Sequence, residues 1–355
     1  MVDALDFPPR AFRNWKSAEG FAGDMLALGM AHPGGQHRQM HGHVQRGASR
    51  ELMTHTLWSP RGPNVVMHAD NLDILPQLPD GAFRLIYLDP PFNTGKVQRR
   101  QSMQTVRSAG GARVGFKGQT YETIKGTVTA YNDEFADYWA FLEPRLEQAF
   151  RLLADDGTLY LHLDFREVHY AKVLLDALFG RDCFLNEIIW AYDYGARATK
   201  KWPAKHDNIL VYVKDPERYY FNNEAVDREP YMAPGLVTPE KAARGKLPTD
   251  VWWHTIVSPT GKEKTGYATQ KPEGVLRRIV QASSQPGDWV LDCFAGSGTL
   301  GAVAEQLGRK FLLIDCNPDA IDVMRKRLGT GLGAPPVEFL PHATSPRASL
   351  DAEHP

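Results

Sequence analysis

The residues with the most chemical content lie in two short stretches far apart in the chain. The first is Leu85-Ile86-Tyr87-Leu88-Asp89-Pro90-Pro91-Phe92. The apolar run 85–88 reads as a buried parallel strand. Pro90 and Pro91 cannot continue it, because each lacks a backbone N–H and fixes φ. A carboxylate, a carbonyl and an aromatic ring thus collect at the carboxyl end of a strand, where open α/β sheets bind ligands. Asp89 and the Pro90 carbonyl can each accept an N–H there, and Phe92 can stack on a planar ring.

The second stretch runs from Asp292 through Phe294, Gly296, Gly298 and Thr299, and is completed by Asp315. A glycine-rich turn leaves one strand and opens a helix. A carboxylate ends the next strand about twenty residues on, where it can accept both hydroxyls of a ribose. Gly296, Gly298 and Gly301 satisfy G-x-G-x-x-G literally. Taken alone, the turn therefore leaves an NAD-dependent oxidoreductase open.

Both stretches need a sheet to hold them, and the pattern supplies one. Residues 65–68 read as a strand ending at Asp70, 71–78 as a short helix, 79–81 as a turn and 84–88 as the strand of the first stretch. Phe135, Tyr138, Leu142, Leu146, Phe150 and Leu153 recur at helical spacing, and Asp155-Asp156-Gly157 closes that helix. A strand over 158–163 ends at Asp164, and a helix over 166–179 closes on Gly180. After Thr269 the alternation resumes with a helix at 272–283, a strand at 288–292, a helix at 300–307, a strand at 310–314 and a helix at 318–328. This predicts an α/β fold, a mostly parallel sheet with helices on both faces.

Three regions fall outside that pattern. Residues 1–60 form an arm with five histidines, His32, His37, His41, His43 and His55, and no cysteine or carboxylate placed to complete a metal site; partial disorder is expected there. Residues 96–131 read as a flexible basic loop, with Lys96, Arg99, Arg100, Arg107, Arg113, Lys117 and Lys125 against one acid, Glu122. Residues 183–265 scatter aromatic residues among turns, most of them expected to be core. Arg197, Lys200, Lys201 and Lys205 lie in an acid-free segment, 195–206, suited to nucleic-acid phosphate. The tail after Gly329 is expected to be unstructured.

Composition sets further bounds. The chain has 355 residues, 43% hydrophobic and 23% charged, with a net charge of −1. Any nucleic-acid binding must therefore come from local patches. No apolar run reaches the length of a membrane span. Three scattered cysteines, Cys183, Cys293 and Cys316, argue against a disulfide framework or a structural zinc site and fit a reducing cytoplasm.

Together the two stretches resemble the permuted beta class of bacterial DNA amino-methyltransferases. Asp89-Pro90-Pro91-Phe92 looks like their catalytic motif and Asp292 to Thr299 like their S-adenosylmethionine (AdoMet) turn. Asn93-Thr94-Gly95, Trp202-Pro203-Ala204-Lys205-His206-Asp207 and Thr269-Gln270-Lys271-Pro272 add to the likeness, which spans about 64–330. Many relatives read Pro-Phe-Cys-Gly-Ser-Gly where this chain has Cys293-Phe294-Ala295-Gly296-Ser297-Gly298, and Ala295 is small enough for the same turn.

The resemblance implies a Rossmann-like methyltransferase fold with a catalytic half (61–182), a target-recognition insertion (183–265) and an AdoMet-binding half (266–330), followed by a flexible tail (331–355). It implies that Asp89, Pro90, Pro91 and Phe92 are catalytic. Asp70, Asp89, Lys271, Pro272, Asp292, Phe294, Gly296, Gly298, Thr299 and Asp315 would bind AdoMet, and Asp70 would accept from its adenine amino group. Lys96, Arg99, Arg100, Arg197, Lys200, Lys201 and Lys205 would contact DNA. His162 and Asp164 would line the target-base pocket or serve the core. The implied reaction is methylation of adenine N6, with cytosine N4 as the alternative, on a base flipped out of the duplex. No metal or membrane is implied; double-stranded DNA is the expected partner, a homodimer is compatible, and the expected location is the bacterial cytoplasm, at the nucleoid.

Overall fold

The computed structural model describes residues 58–93, the backbone of strands within 96–133, and residues 138–341 apart from 196, 259 and 332. The His-rich arm through residue 57 lies outside the described residues, as do Thr94 and Gly95. The strands are β1 (Asn64–His68), β2 (Phe83–Leu88), β3 (Lys96–Arg107), β4 (Arg113–Val114), β5 (Thr120–Asp133), β6 (Leu153–Leu163), β7 (Phe184–Ala191), β8 (His206–Val213), β9 (Val251–Trp253), β10 (Trp289–Asp292), β11 (Lys310–Asp315) and β12 (Val337–Leu340). The helices are α1 (Asn71–Ile74), α2 (Tyr138–Leu152), α3 (Val168–Phe179), α4 (Pro239–Arg244), α5 (Glu273–Ser283), α6 (Thr299–Gln306) and α7 (Pro318–Arg327).

Nine strands make one sheet in the order β12-β1-β11-β10-β2-β6-β8-β7-β9. Each neighbouring pair is parallel except the two that involve β8. Side chains alternate across it, as strand geometry requires. Ile86, Leu88, Leu159, Leu161, Leu312 and Ile314 face one core with Leu142 and Leu146 of α2 and Ala171 and Leu175 of α3. Leu85, Tyr87, Tyr160, Phe311 and Leu313 face the other, with Leu276 and Ile279 of α5, Val303 of α6 and Met324 of α7. Each fully buried Leu or Ile contributes about 1.5–3 kcal/mol. Burial on both faces is why these strands read as unbroken apolar runs.

The structure departs from the sequence reading in three places. Residues 96–131 do not form a loop: β3 and β5 pair antiparallel from Lys96↔Asp133 to Arg107↔Tyr121, with β4 beside β5. The strands carry Val97, Thr105, Val106, Thr120, Thr123, Thr127, Val128 and Thr129, β-branched residues that favour strands, but interleaved polar and charged residues leave no apolar alternation in the sequence. The tail is not wholly irregular, because β12 pairs with β1. Asp155-Asp156-Gly157 does not form a free turn either, since β6 begins at Leu153, directly after α2. Within 183–265, β7, β8 and β9 extend the central sheet, and Trp190 and Trp252 are buried in its core. Trp202, Tyr194 and Trp253, by contrast, are exposed.

Candidate active site

The ends of β1, β2, β10 and β11 converge on a cavity of about 460 Å³, lined by Asp70, Asp89, Phe92, Lys271, Phe294 and Asp315 among others. Parallel pairing produces the convergence. Adjacent strands point the same way, so carboxylates placed just after or at four strand ends meet at one edge. Four acids (Asp70, Asp89, Asp292 and Asp315) face two cations, Lys271 and Arg145, in the lining. That excess of acid suits a ligand carrying positive charge.

At the end of β2, Asp89 Oδ2 accepts from Lys271 Nζ at 2.5 Å. Its Oδ1 is buried and has no hydrogen-bond partner. A buried carboxylate oxygen left open costs free energy until a donor arrives, so Oδ1 is a built acceptor. The Lys271 ammonium lies 5.0 Å from the Phe92 ring centroid, and its own carbonyl accepts from Thr299 Oγ1 at 3.1 Å. Tyr138 donates to the Pro91 carbonyl at 2.8 Å, and Arg166 Nε reaches the Phe92 carbonyl at 3.5 Å. Among the described residues no donor reaches the Pro90 carbonyl. Asn93, just beyond, takes a left-handed φ of 52° and donates to Glu167 Oε1 at 2.9 Å. Asn tolerates that conformation better than most residues.

On the turn side, Asp315 is pre-set by two backbone donors. Gly296 N donates to Oδ2 at 2.7 Å and Asn317 N to Oδ1 at 2.8 Å. Burial pushes the Asp315 carboxyl up, and those two N–H groups offset part of the rise. Burial also pushes Asp292 well above the usual carboxylate range, with Asp89 and Asp315 adding to it, although Phe294 N donates to Asp292 at 2.9 Å. Gly296 has φ +50°, and a Cβ there would come 3.2 Å from the Tyr267 ring. Phe294 and Phe141 bring their ring centroids within 5.9 Å, and both line the cavity.

These features fit AdoMet. Asp315 can receive a ribose diol, the aromatic pair can flank a purine, and the acid-rich end with its open Asp89 oxygen can take ammonium and sulfonium charge. Asp70 also lines the cavity, held by Leu72 N at 2.9 Å and Arg145 at 3.2 Å.

Other residues from the sequence reading lie elsewhere. Gly298 is not on the cavity wall; a Cβ there would meet Met324 Cγ at 2.6 Å, so its glycine serves packing against α7. Pro272 is likewise off the wall and stands as the N-cap of α5. His162 is fully buried: its Nδ1 meets Tyr87 Oη at 2.7 Å and its Nε2 meets Asp207 Oδ2 at 3.3 Å. Asp207 in turn accepts from Tyr192 Oη at 3.0 Å. Burial works to raise the Asp207 carboxyl, but the His162 and Tyr192 bonds and the Lys271 charge hold it below the usual range. Asp164 pairs with Arg166 and is absent from the cavity wall. Arg197, Lys200 and Lys201 are exposed, whereas Lys205 Nζ donates to Gly195 O at 3.1 Å. Lys96, Arg99 and Arg100 lie on β3, and their side chains are outside the described residues. Phe141, Arg145 and Tyr267 also line the cavity and carry no sequence signal, since on a helix or in a loop they read as ordinary core or surface positions.

Comparison with known proteins fits this geometry. Residues 83–326 match the model of the N6/N4 DNA methylase family. The type II methyltransferase M.HpaI of Haemophilus parainfluenzae is 32% identical over 72% of this chain and 70% of its own. The DNA adenine methyltransferase YhdJ of Escherichia coli is 31% identical over 74% of this chain and 82% of its own. Among solved structures, the PvuII DNA methyltransferase (cytosine-N4-specific) shares the fold, with a TM-score of 0.50 at 14% identity over 76% of this chain and 88% of that one. The match to the family model and the two relatives above 30% identity agree, and this chain belongs to the N6/N4 DNA methylase family.

Proposed function

We propose that the chain methylates adenine N6 in duplex DNA at a defined sequence, on a base turned out of the helix into the cavity beside Phe92. The open, buried Asp89 Oδ1 carries this reading. An exocyclic amine is a poor nucleophile because its lone pair is delocalised into the ring. Asp89 Oδ1 and the Pro90 carbonyl each accept one N–H, which draws the nitrogen toward sp3 geometry and frees the lone pair. Phe92 stacks on the base, and Tyr138 and Arg166 hold the flanking carbonyls so that the motif does not move. Asp89 also stabilises the positive charge that grows on the amine and receives its proton. AdoMet, when bound, supplies a methyl group on a sulfonium, already activated for transfer. Positioning and charge complementarity are therefore the protein's main contribution.

Adenine is favoured by Asp as the first motif residue and by the similarity to an enzyme named for adenine. Cytosine N4 is the second reading, since the same two acceptors serve either amine. Labelled AdoMet, followed by nucleoside analysis of modified DNA, tests the choice: N6-methyladenine is expected, and N4-methylcytosine alone would overturn it. Residues 183–265 read the sequence through their loops, in this proposal. Asp70, Asp292, Phe294, Gly296, Thr299 and Asp315 form the AdoMet half. Dimerisation is tested by sedimentation with and without DNA.

A further inference from the structure

The loop between β7 and β8 holds Trp202, which is 95% exposed. Tryptophan normally buries roughly 150–250 Å² of surface, and here the whole ring is left open to stack on a partner. The loop is braced for presentation. At its base Tyr192 N donates to Lys205 O at 2.9 Å, and Lys205 Nζ ties back to Gly195 O at 3.1 Å. Between these ties Arg197, Lys200 and Lys201 are exposed. β7 runs parallel to β6 and β2, so the loop leaves the same sheet edge as the catalytic motif.

A chain of contacts fixes its place more closely. Arg166 reaches the Phe92 carbonyl at 3.5 Å, and its guanidinium lies 5.3 Å from the Phe165 ring centroid. Lys201 Nζ lies 5.7 Å from that same ring, and Trp202 is the next residue. An exposed aromatic flanked by cations, three contacts from the base-stacking Phe92, has the chemistry of a duplex wedge. The cations hold phosphates, and the ring has a base-sized face with nothing on it.

We propose that Trp202 enters the duplex when the target base leaves it, stacking in the vacated place and so favouring the flipped state. The inference rests on the DNA-methylating reading above. It is tested with full-length W202A and W202F and two duplexes carrying the methylation site found by modified-base sequencing. In one the target base is paired; in the other it faces an abasic gap and is already loosened. W202A should lower kcat/KM on the paired duplex by about 5- to 150-fold, the scale of one lost base stack. The loss should shrink to within a few-fold on the gapped duplex, and W202F should recover most activity. AdoMet binding, followed by calorimetry, should stay unchanged. Equal loss on both duplexes, no loss on either, or a loss that tracks a change in oligomeric state each overturns the wedge. If wild-type protein methylates neither duplex, the underlying reading fails instead.

Discussion

Two regions leave the same edge of the same sheet and solve opposite problems. At the ends of β2, β10 and β11, Asp89, Asp292 and Asp315 are held out of water, and each has at least one assigned partner. At the end of β7, Arg197, Lys200, Lys201 and Trp202 stand in solvent. The first region needs its charges desolvated and fixed before substrate arrives, because interactions there strengthen as water leaves. In the proposed reading the second tracks a hydrated, flexible polyanion, where exposure and long side chains are an advantage. Both regions leave the same sheet edge, and burial is what separates them.

The largest expected effect breaks the buried side alone. Asp89→Ala should lower kcat, measured at saturating AdoMet, by about 10²–10³-fold or more while largely retaining DNA binding. Persistent methylation in single-turnover assays would sink the assigned chemistry. Asp315→Asn should weaken AdoMet binding by about tenfold or more, since hydrogen bonds to a charged group are each worth roughly 1.5–3 kcal/mol.

The same residue sets a pH dependence. Burial raises the Asp315 carboxyl, whereas ribose hydroxyls favour its ionised form. Binding therefore prefers the deprotonated site, and AdoMet affinity should rise with pH through the raised titration of Asp315 and level off above it. Calorimetry across pH should show that slope in the wild type and a flatter one in Asp315→Asn. Equal slopes would place the titrating group elsewhere.

Gly298→Ala separates packing from chemistry. The added Cβ would meet Met324 at 2.6 Å on a backbone with φ +70°, so stability should fall by about 1–3 kcal/mol. Thermal unfolding reads this as a lower Tm, and an unchanged Tm would mean that α7 yields freely.

The smallest effects belong to the exposed side. Lys201→Ala should weaken DNA binding about equally across sequences and reduce the salt slope by about one. Lys205→Ala should change the slope less, because its ammonium is already tied to Gly195 and 3.7 Å from Asp193. Equal slopes for the two variants would remove the distinction between the presented and braced cations of this loop.

Much of the fold was legible because strands buried on both faces must be apolar throughout. Runs such as 85–88 and 311–314 therefore stand out, and a carboxylate followed by Pro or a Gly turn marks where each stops. The long β3–β5 ribbon was not legible, since its Thr, Gln, Lys and Arg give no apolar alternation to read. Nor was β12, a four-residue strand whose partner lies near the other end of the described chain.

The chain by itself therefore determined the two motifs, their order and the α/β class, because these depend on local runs and spacing. Tertiary structure alone decided that Lys271 pairs with Asp89 across 182 positions, leaving Oδ1 open. It decided that Phe141 and Arg145 of α2 join the cavity, and that Gly298 serves helix packing while Gly296 faces the ligand space. It also placed His162, for which the sequence left pocket and core open, as a buried link between Tyr87 and Asp207 with its ring centroid 5.8 Å from that of Phe92. The reason is common to all four. Parallel strands place neighbours far apart in sequence, and which side chains meet at a strand end depends on sheet order and helix packing, which no local pattern encodes.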